Sequence, residues 1–200
     1  DSFKAANRLL KNGLKVYRID EDVKFHGKIF KKGSFYILPQ ESMAQALQEE
    51  AEALHLTFYT VDPALEFSKH EVMAPRIAIY QRFYGGNIEE GWTRWLLEQF
   101  EFTYTTVMDK DVKEGLKDKY DVLILPSDAT PVITGEKLEE YYEKRFRGGM
   151  TPPKVPPEYR SGIAKEGVEK IKEFVEAGGT LVTLNEASNF ALEELKLPIN

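Results

Sequence analysis

Gly178-Gly179-Thr180-Leu181-Val182-Thr183-Leu184-Asn185-Glu186-Ala187-Ser188 is the stretch that decides the fold. Before it, Glu166 to Ala177 carries Val168, Ile171, Phe174 and Val175 at helical spacing. Gly178-Gly179 ends that helix, because glycine enters a left-handed C-cap without a Cβ clash. Thr180 to Leu184 is short, apolar and β-branched, as a parallel strand covered on both faces requires. A helix starts again at Glu186-Ala187-Ser188, so Asn185 is expected on a sharp strand-to-helix turn. In an open α/β sheet, ligands bind at that carboxyl edge.

The order of helix, Gly-Gly, strand and turn resembles the nucleophile elbow of class I glutamine amidotransferase-like domains. In that family a cysteine stands where this chain has Asn185. An amide is no nucleophile at neutral pH and has no proton to lose to a histidine. The chain contains no cysteine at all, so thiol-dependent amide transfer is excluded.

From Arg76 onward, strands alternate with helices, the signature of βαβ units and a parallel sheet. Arg76 to Tyr80 reads as the first strand, and Tyr84-Gly85-Gly86-Asn87 as a turn with Asn87 capping the next helix. Ile88 to Phe100 then reads as a helix with Ile88, Trp92, Trp95, Leu96 and Gln99 on its core face and Glu89, Glu90, Arg94 and Glu98 outward. Phe102 to Val107 and Tyr120 to Pro126 are the next strands, the latter ending at Ser127-Asp128. A short helix from Asp109 to Leu116 separates them; a polar helix from Gly135 to Arg145 and a loop through Pro152 to Pro157 follow. The fold class is α/β, an open, mostly parallel sheet with helices on both faces, flavodoxin-like in its alternation.

Residues 1–74 read as a separate small α/β segment. Phe3, Ala6, Leu9 and Leu10 mark a helix closed by Gly13, and Leu14 to Ile19 a strand. Phe25 to Lys31 and Ser34 to Leu38 read as a hairpin about Lys32-Gly33. A helix from Ser42 to Leu54 is expected to bury Met43, Ala46, Leu47, Ala51 and Leu54. Thr57 to Val61 follows as a strand, and Pro63 through Pro75 as a linker. Residues 75–200 form the second domain, which stops where further strands are expected and so reads as truncated at its C-terminal end.

The strings Pro75 to Tyr80, Glu90-Gly91-Trp92-Thr93-Arg94-Trp95, Asp121 to Pro126 and Phe174 to Val182, together with Asn7-Arg8-Leu9-Leu10 and Gly33-Ser34-Phe35-Tyr36, resemble the carboxy-terminal part of large bacterial and archaeal zinc carboxypeptidases of the carboxypeptidase A-like class. The resemblance implies an upstream peptidase domain as partner, zinc as that domain's cofactor, and a secreted or periplasmic precursor, with a cytoplasmic location left open. It also implies a non-catalytic accessory role for this chain. Zinc in that class is held by His-x-x-Glu and a distant histidine. His26, His55 and His70 have no glutamate three residues on, so no metal site is expected here.

Composition narrows the alternatives. Net charge −6 argues against a nucleic-acid surface, and no apolar run approaches a membrane span. The compact basic group Lys28, Lys31 and Lys32 reads as a solvated hairpin face. The second functional reading is a small-molecule-binding domain for a sugar or peptide, with Tyr84, Gly85, Gly86, Asn87, Asp128, Asn185 and Glu186 as ligand-binding candidates at the strand ends. Ser188 as a hydrolase nucleophile is a weaker third, lacking Gly-x-Ser-x-Gly around it. A homo-oligomer is left open.

Overall fold

The computed structural model describes residues 1–40, 43–62, 64–83, 86–146 and 156–197. It divides into two units, residues 1–74 with 99–102, and residues 75–98 with 103–200.

In the first unit, α1 (Ser2–Lys11) buries Ala5, Ala6 and Leu9. β1 (Val16–Ile19) is the centre of a three-stranded antiparallel sheet. β2 (Val23–Phe25) and β3 (Lys28–Phe30) form a separate hairpin. The expected hairpin about Lys32-Gly33 is therefore corrected: its turn lies at His26-Gly27, both at positive φ, as a two-residue turn matched to strand twist requires. β4 (Phe35–Ile37) pairs instead with β1. In α2 (Met43–Leu54), the expected apolar residues are only half-buried, while Glu50 is buried and takes a 3.1 Å bond from Arg8.

Thr57 to Val61 forms no strand; the other edge of β1 is filled by β5 (Lys69–Val72), inside the stretch read as linker. Ladder bonds come from the backbone, so a charged Lys-His-Glu-Val segment can pair as well as a β-branched one. The aromatic 57–61 segment spends its side chains elsewhere, as shown below.

The second unit is organised on a four-stranded parallel sheet. β6 (Ile77–Tyr80) is flanked by β7 (Tyr104–Val107) and β8 (Val122–Leu125), and β9 (Thr180–Thr183) completes the order β7-β6-β8-β9. All three pairings are parallel, with Ile77 opposite Tyr104 and Val122. The chain moves outward from β6 to β7, then returns past β6 to β8. With right-handed crossovers, that reversal puts α3 (Ile88–Gln99) on one face and α4 (Asp109–Glu114) and α7 (Ala164–Glu176) on the other. β9 is an edge strand and only half-buried, not covered on both faces as its composition suggested.

Alternation along the strands feeds two cores. Ala78, Tyr80, Leu123 and Leu125 join Val112, Val168, Ile171 and Phe174 in one buried cluster; Ile77 and Ile79 point to the α3 face. The expected helix from Gly135 to Arg145 is α6 (Leu138–Phe146), and an unexpected short helix, α5 (Thr130–Thr134), precedes it and ends at Gly135. Much of the proline-rich loop lies outside the described residues. α8 (Ser188–Glu193) buries Phe190 and Ala191.

α3 is rotated against its expected phase. Ile88, Trp92, Trp95 and Leu96 are exposed, at 79, 62, 51 and 51%, and Glu90 is buried at 1%. Hydrophobic period fixes which residues share a stripe, whereas the cap fixes where the stripe points. Asn87 accepts from the amides of Glu89 and Glu90 at 2.9 and 3.3 Å while its own amide is anchored on Asp128. Arg94 Nε lies 2.7 Å from Glu90 Oε1, close but without hydrogen-bond alignment. Burial raises the Glu90 carboxyl pKa, and Arg94 opposes the rise.

The end of α7 is closed by two bonds, Gly178 N–H to Val175 O and Gly179 N–H to Phe174 O, both 2.9 Å, the Schellman pattern. Gly178 has φ 97°, and a Cβ on Gly179 would overlap the Phe174 ring. A second tie is buried at Asp109: Tyr80 donates its hydroxyl at 2.7 Å, Ser161 its hydroxyl at 3.0 Å and Gly162 its amide at 2.8 Å.

Gly179→Ala is expected to lower stability by about 1–3 kcal/mol in urea unfolding, because the Phe174 ring must shift. Asp109→Ala leaves the Tyr80 hydroxyl and the Gly162 amide buried without their acceptor. Its expected cost of about 3 kcal/mol, against about 1 for Tyr80→Phe, is measurable in the same experiment.

Candidate functional site

Three strand ends converge at the carboxyl edge of the parallel sheet. Arg82 lies two residues past β6, Ser127 and Asp128 two and three past β8, and Asn185 and Glu186 two and three past β9. The crossover direction reverses between β6 and β8, and an open sheet leaves a crevice there. A cleft of about 350 Å³ occupies it, walled also by Tyr141, Tyr142 and Arg145 from α6.

Its polar groups are tied to one another. Asp128 takes Arg82 Nη1 at 3.1 Å on one oxygen and Asn87 Nδ2 at 2.7 Å on the other. Arg82 Nε reaches the carbonyl of Gly86 at 2.5 Å. Asn185 has φ 49°, a left-handed conformation that asparagine tolerates better than most residues. Its amide donates to Ser127 Oγ at 3.0 Å, so it stands on the turn after β9 with its side chain directed to β8. Arg145 Nη1 lies 3.3 Å from Glu186 Oε1 and its guanidinium 6.0 Å from the Tyr141 ring.

Electrostatics follow from burial. Desolvation raises the Asp128 carboxyl pKa above the ordinary range; Arg82 and Asn87 pull it down, and Glu186 adds to the rise. The Tyr141 phenol is raised, chiefly by burial.

Of the sequence candidates, Asn87, Asp128, Asn185 and Glu186 meet at this edge, and Gly86 contributes its carbonyl to Arg82. Tyr84 and Gly85 lie outside the described residues. Sequence reading passed over Arg82, Ser127, Tyr141, Tyr142 and Arg145. Arg82 and Ser127 carried a usable signal, the second position after a parallel strand. The α6 residues carried none, because their wall is set by where an irregular connection returns.

The cleft presents amide, hydroxyl, phenol, guanidinium and carboxylate groups. All three histidines, His26, His55 and His70, lie in the first unit. Ser188 Oγ accepts from Thr183 Oγ1 at 3.4 Å. Among the described residues no group of three or more His, Cys, Asp or Glu is placed to hold a metal ion, and no helix is long and apolar enough to cross a membrane. Comparison with protein-family models, curated proteins and solved structures finds no match to this chain.

The raised Asp128 carboxyl binds its proton more tightly folded than unfolded. Its own contribution to stability should therefore fall as pH rises from the unfolded carboxylate value, about 3.9, through the raised folded value, against the opposite contribution of carboxyls held low such as Glu101 and Asp121. Asp128→Asn is expected to remove that contribution, while Glu90, shifted in the same direction, keeps its own. Urea midpoints of both proteins across pH 4 to 7 measure the difference; parallel profiles would contradict the assigned environment.

Proposed function

We propose that the second unit is a non-catalytic binding module whose strand-end crevice takes a short peptide or a free amino acid. The observation that carries this reading is the pairing of two guanidiniums with two carboxylates around one cleft, Arg82 with Asp128 and Arg145 with Glu186. A zwitterionic ligand can exchange with such pairs, its carboxylate meeting an arginine and its ammonium an acid, without leaving a buried charge uncompensated. Asn185 and Ser127 offer an amide donor and a hydroxyl between them, suited to a peptide group.

The elbow position supports a binding role over a chemical one. Asn185 occupies the strained turn where a related enzyme would place its nucleophile, and an amide can orient a ligand but not attack it. The resemblance to the carboxy-terminal part of zinc carboxypeptidases supports a setting beside a peptidase domain, where an accessory module would retain peptide substrate or released residues. Zinc belongs in this reading to that upstream domain.

Calorimetric titration with free amino acids, dipeptides and tripeptides tests the reading, with mono- and disaccharides as the contrasting arm. Peptides are expected to bind, and Arg145→Ala to weaken them about tenfold, some 1.4 kcal/mol. Heat with saccharides alone would keep the crevice and change the ligand. No heat with either would leave a purely architectural accessory domain.

A further inference from the structure

The first unit contains an unexplained hollow. A cavity of about 630 Å³ lies among its helices, sheet and hairpin, within the range of about 300–1,000 Å³ typical of small-molecule sites. Protein interiors are otherwise close-packed, with few voids larger than water. The fully buried cluster here is correspondingly small, Ala6, Leu9, Leu14 and Val16, and Phe35, Ile37 and Leu47 remain half-buried because they face the hollow. The 57–61 segment that forms no strand closes one side with Phe58, Tyr59 and Val61. Wall rings brace one another edge to face: Phe3 on Phe35 at 5.4 Å, Phe30 on Tyr59 at 5.5 Å and Tyr36 on Phe67 at 5.2 Å.

Cations gather at the cavity, with the carboxylate of Asp22 beside them accepting the Lys32 amide at 2.9 Å. Lys32 is the one charged side chain among the described wall residues. Three further cations stand on wall rings: Arg18 at 5.7 and 5.3 Å from Phe3 and Phe35, Lys28 at 4.0 Å from Tyr59, and Lys69 at 4.6 Å from Phe67. Their sequence neighbours Lys31 and His70 are paired with Asp22 and Asp20, whereas Arg18, Lys28, Lys32 and Lys69 form no ion pair among the described residues. Arg18 donates to the carbonyl of Gly33 at 3.0 Å and Lys28 to the Tyr59 hydroxyl, so in a chain of net charge −6 four cations without an ion pair stand near one apolar cavity. A cationic ligand would meet four like charges, and a neutral one would leave them unused.

We propose that this cavity binds a small amphiphilic anion, an aliphatic or aromatic body carrying a carboxylate or sulfonate-like head. The body is buried among Leu9, Val16, Leu47 and the rings, and the head meets Lys32 at the exposed rim. Apolar burial supplies affinity and the cations select the sign of the head.

Calorimetric titration of the whole 200-residue chain with dodecanoate below its micellar concentration tests the aliphatic form, and 1-anilinonaphthalene-8-sulfonate the aromatic one. One molecule per chain is expected, with a raised melting temperature and dodecanol at least about tenfold weaker. Leu47→Trp, which fills the cavity, should abolish binding. Lys32→Glu, at an exposed position that tolerates the change, should weaken the anion about tenfold and leave dodecanol unchanged. Absence of heat and melting shift with both anions overturns the site, as does undiminished binding to Lys32→Glu. Equal affinity for dodecanol, or uptake of many molecules with loss of cooperative melting, overturns it too.

Discussion

Asp128 is fixed by two donors from different elements, and the carboxyl edge of the second unit depends on that tie. Arg82 reaches it from the end of β6 and Asn87 from the cap of α3, so one carboxylate joins β6, α3 and the loop after β8. The strands adjoining the reversal in chain direction would otherwise end in unconnected loops. A partly buried carboxylate with one oxygen on a guanidinium and the other on an amide has both faces satisfied, which is the condition for keeping such a charge in a cleft. Its pKa is still raised, because the desolvation outweighs the two partners.

The same tie explains the orientation of α3. Asn87 uses its carbonyl oxygen for the first-turn amides and its NH₂ for Asp128, which leaves the helix no rotational freedom at its start. Glu90 then faces inward and the stripe of Ile88, Trp92, Trp95 and Leu96 outward. The first turn contributes more to the phase than the apolar stripe does, although the stripe holds the larger side chains. An exposed stripe of this size is uncommon on a protein surface.

Legibility in the sequence followed the locality of the signal. β6 to β9, the α7 cap at Gly178-Gly179 and the turn at Asn185 were readable because each is written in adjacent residues: β-branched runs, a glycine pair, a strand followed at once by a helix. Asn87, Asp128, Asn185 and Glu186 were readable as strand-end or cap positions. What failed was non-local. The partner of β1 was a charged segment, Lys69 to Val72, chosen by backbone pairing and not by side-chain pattern. The true hairpin turn, His26-Gly27, lost to Lys32-Gly33 on composition alone, since both present a glycine after a basic or ionisable residue. Tyr141 and Arg145 join the crevice only through the path of a long connection.

The two cavities handle charge in opposite ways, and that difference constrains what each can hold. In the strand-end crevice, both arginines are already paired with carboxylates and Glu89 adds a third acid to the wall, so a ligand that meets an arginine enters by exchange and gains only the difference between its contacts and those it displaces. On the proposed reading, a peptide bound there would gain only a modest net affinity. In the first unit, the cations near the cavity form no ion pair among the described residues and the walls are apolar, although Arg18 donates to the carbonyl of Gly33 and Lys28 to the Tyr59 hydroxyl. The proposed anion would add apolar burial to charge compensation there and would have no ion pair to break.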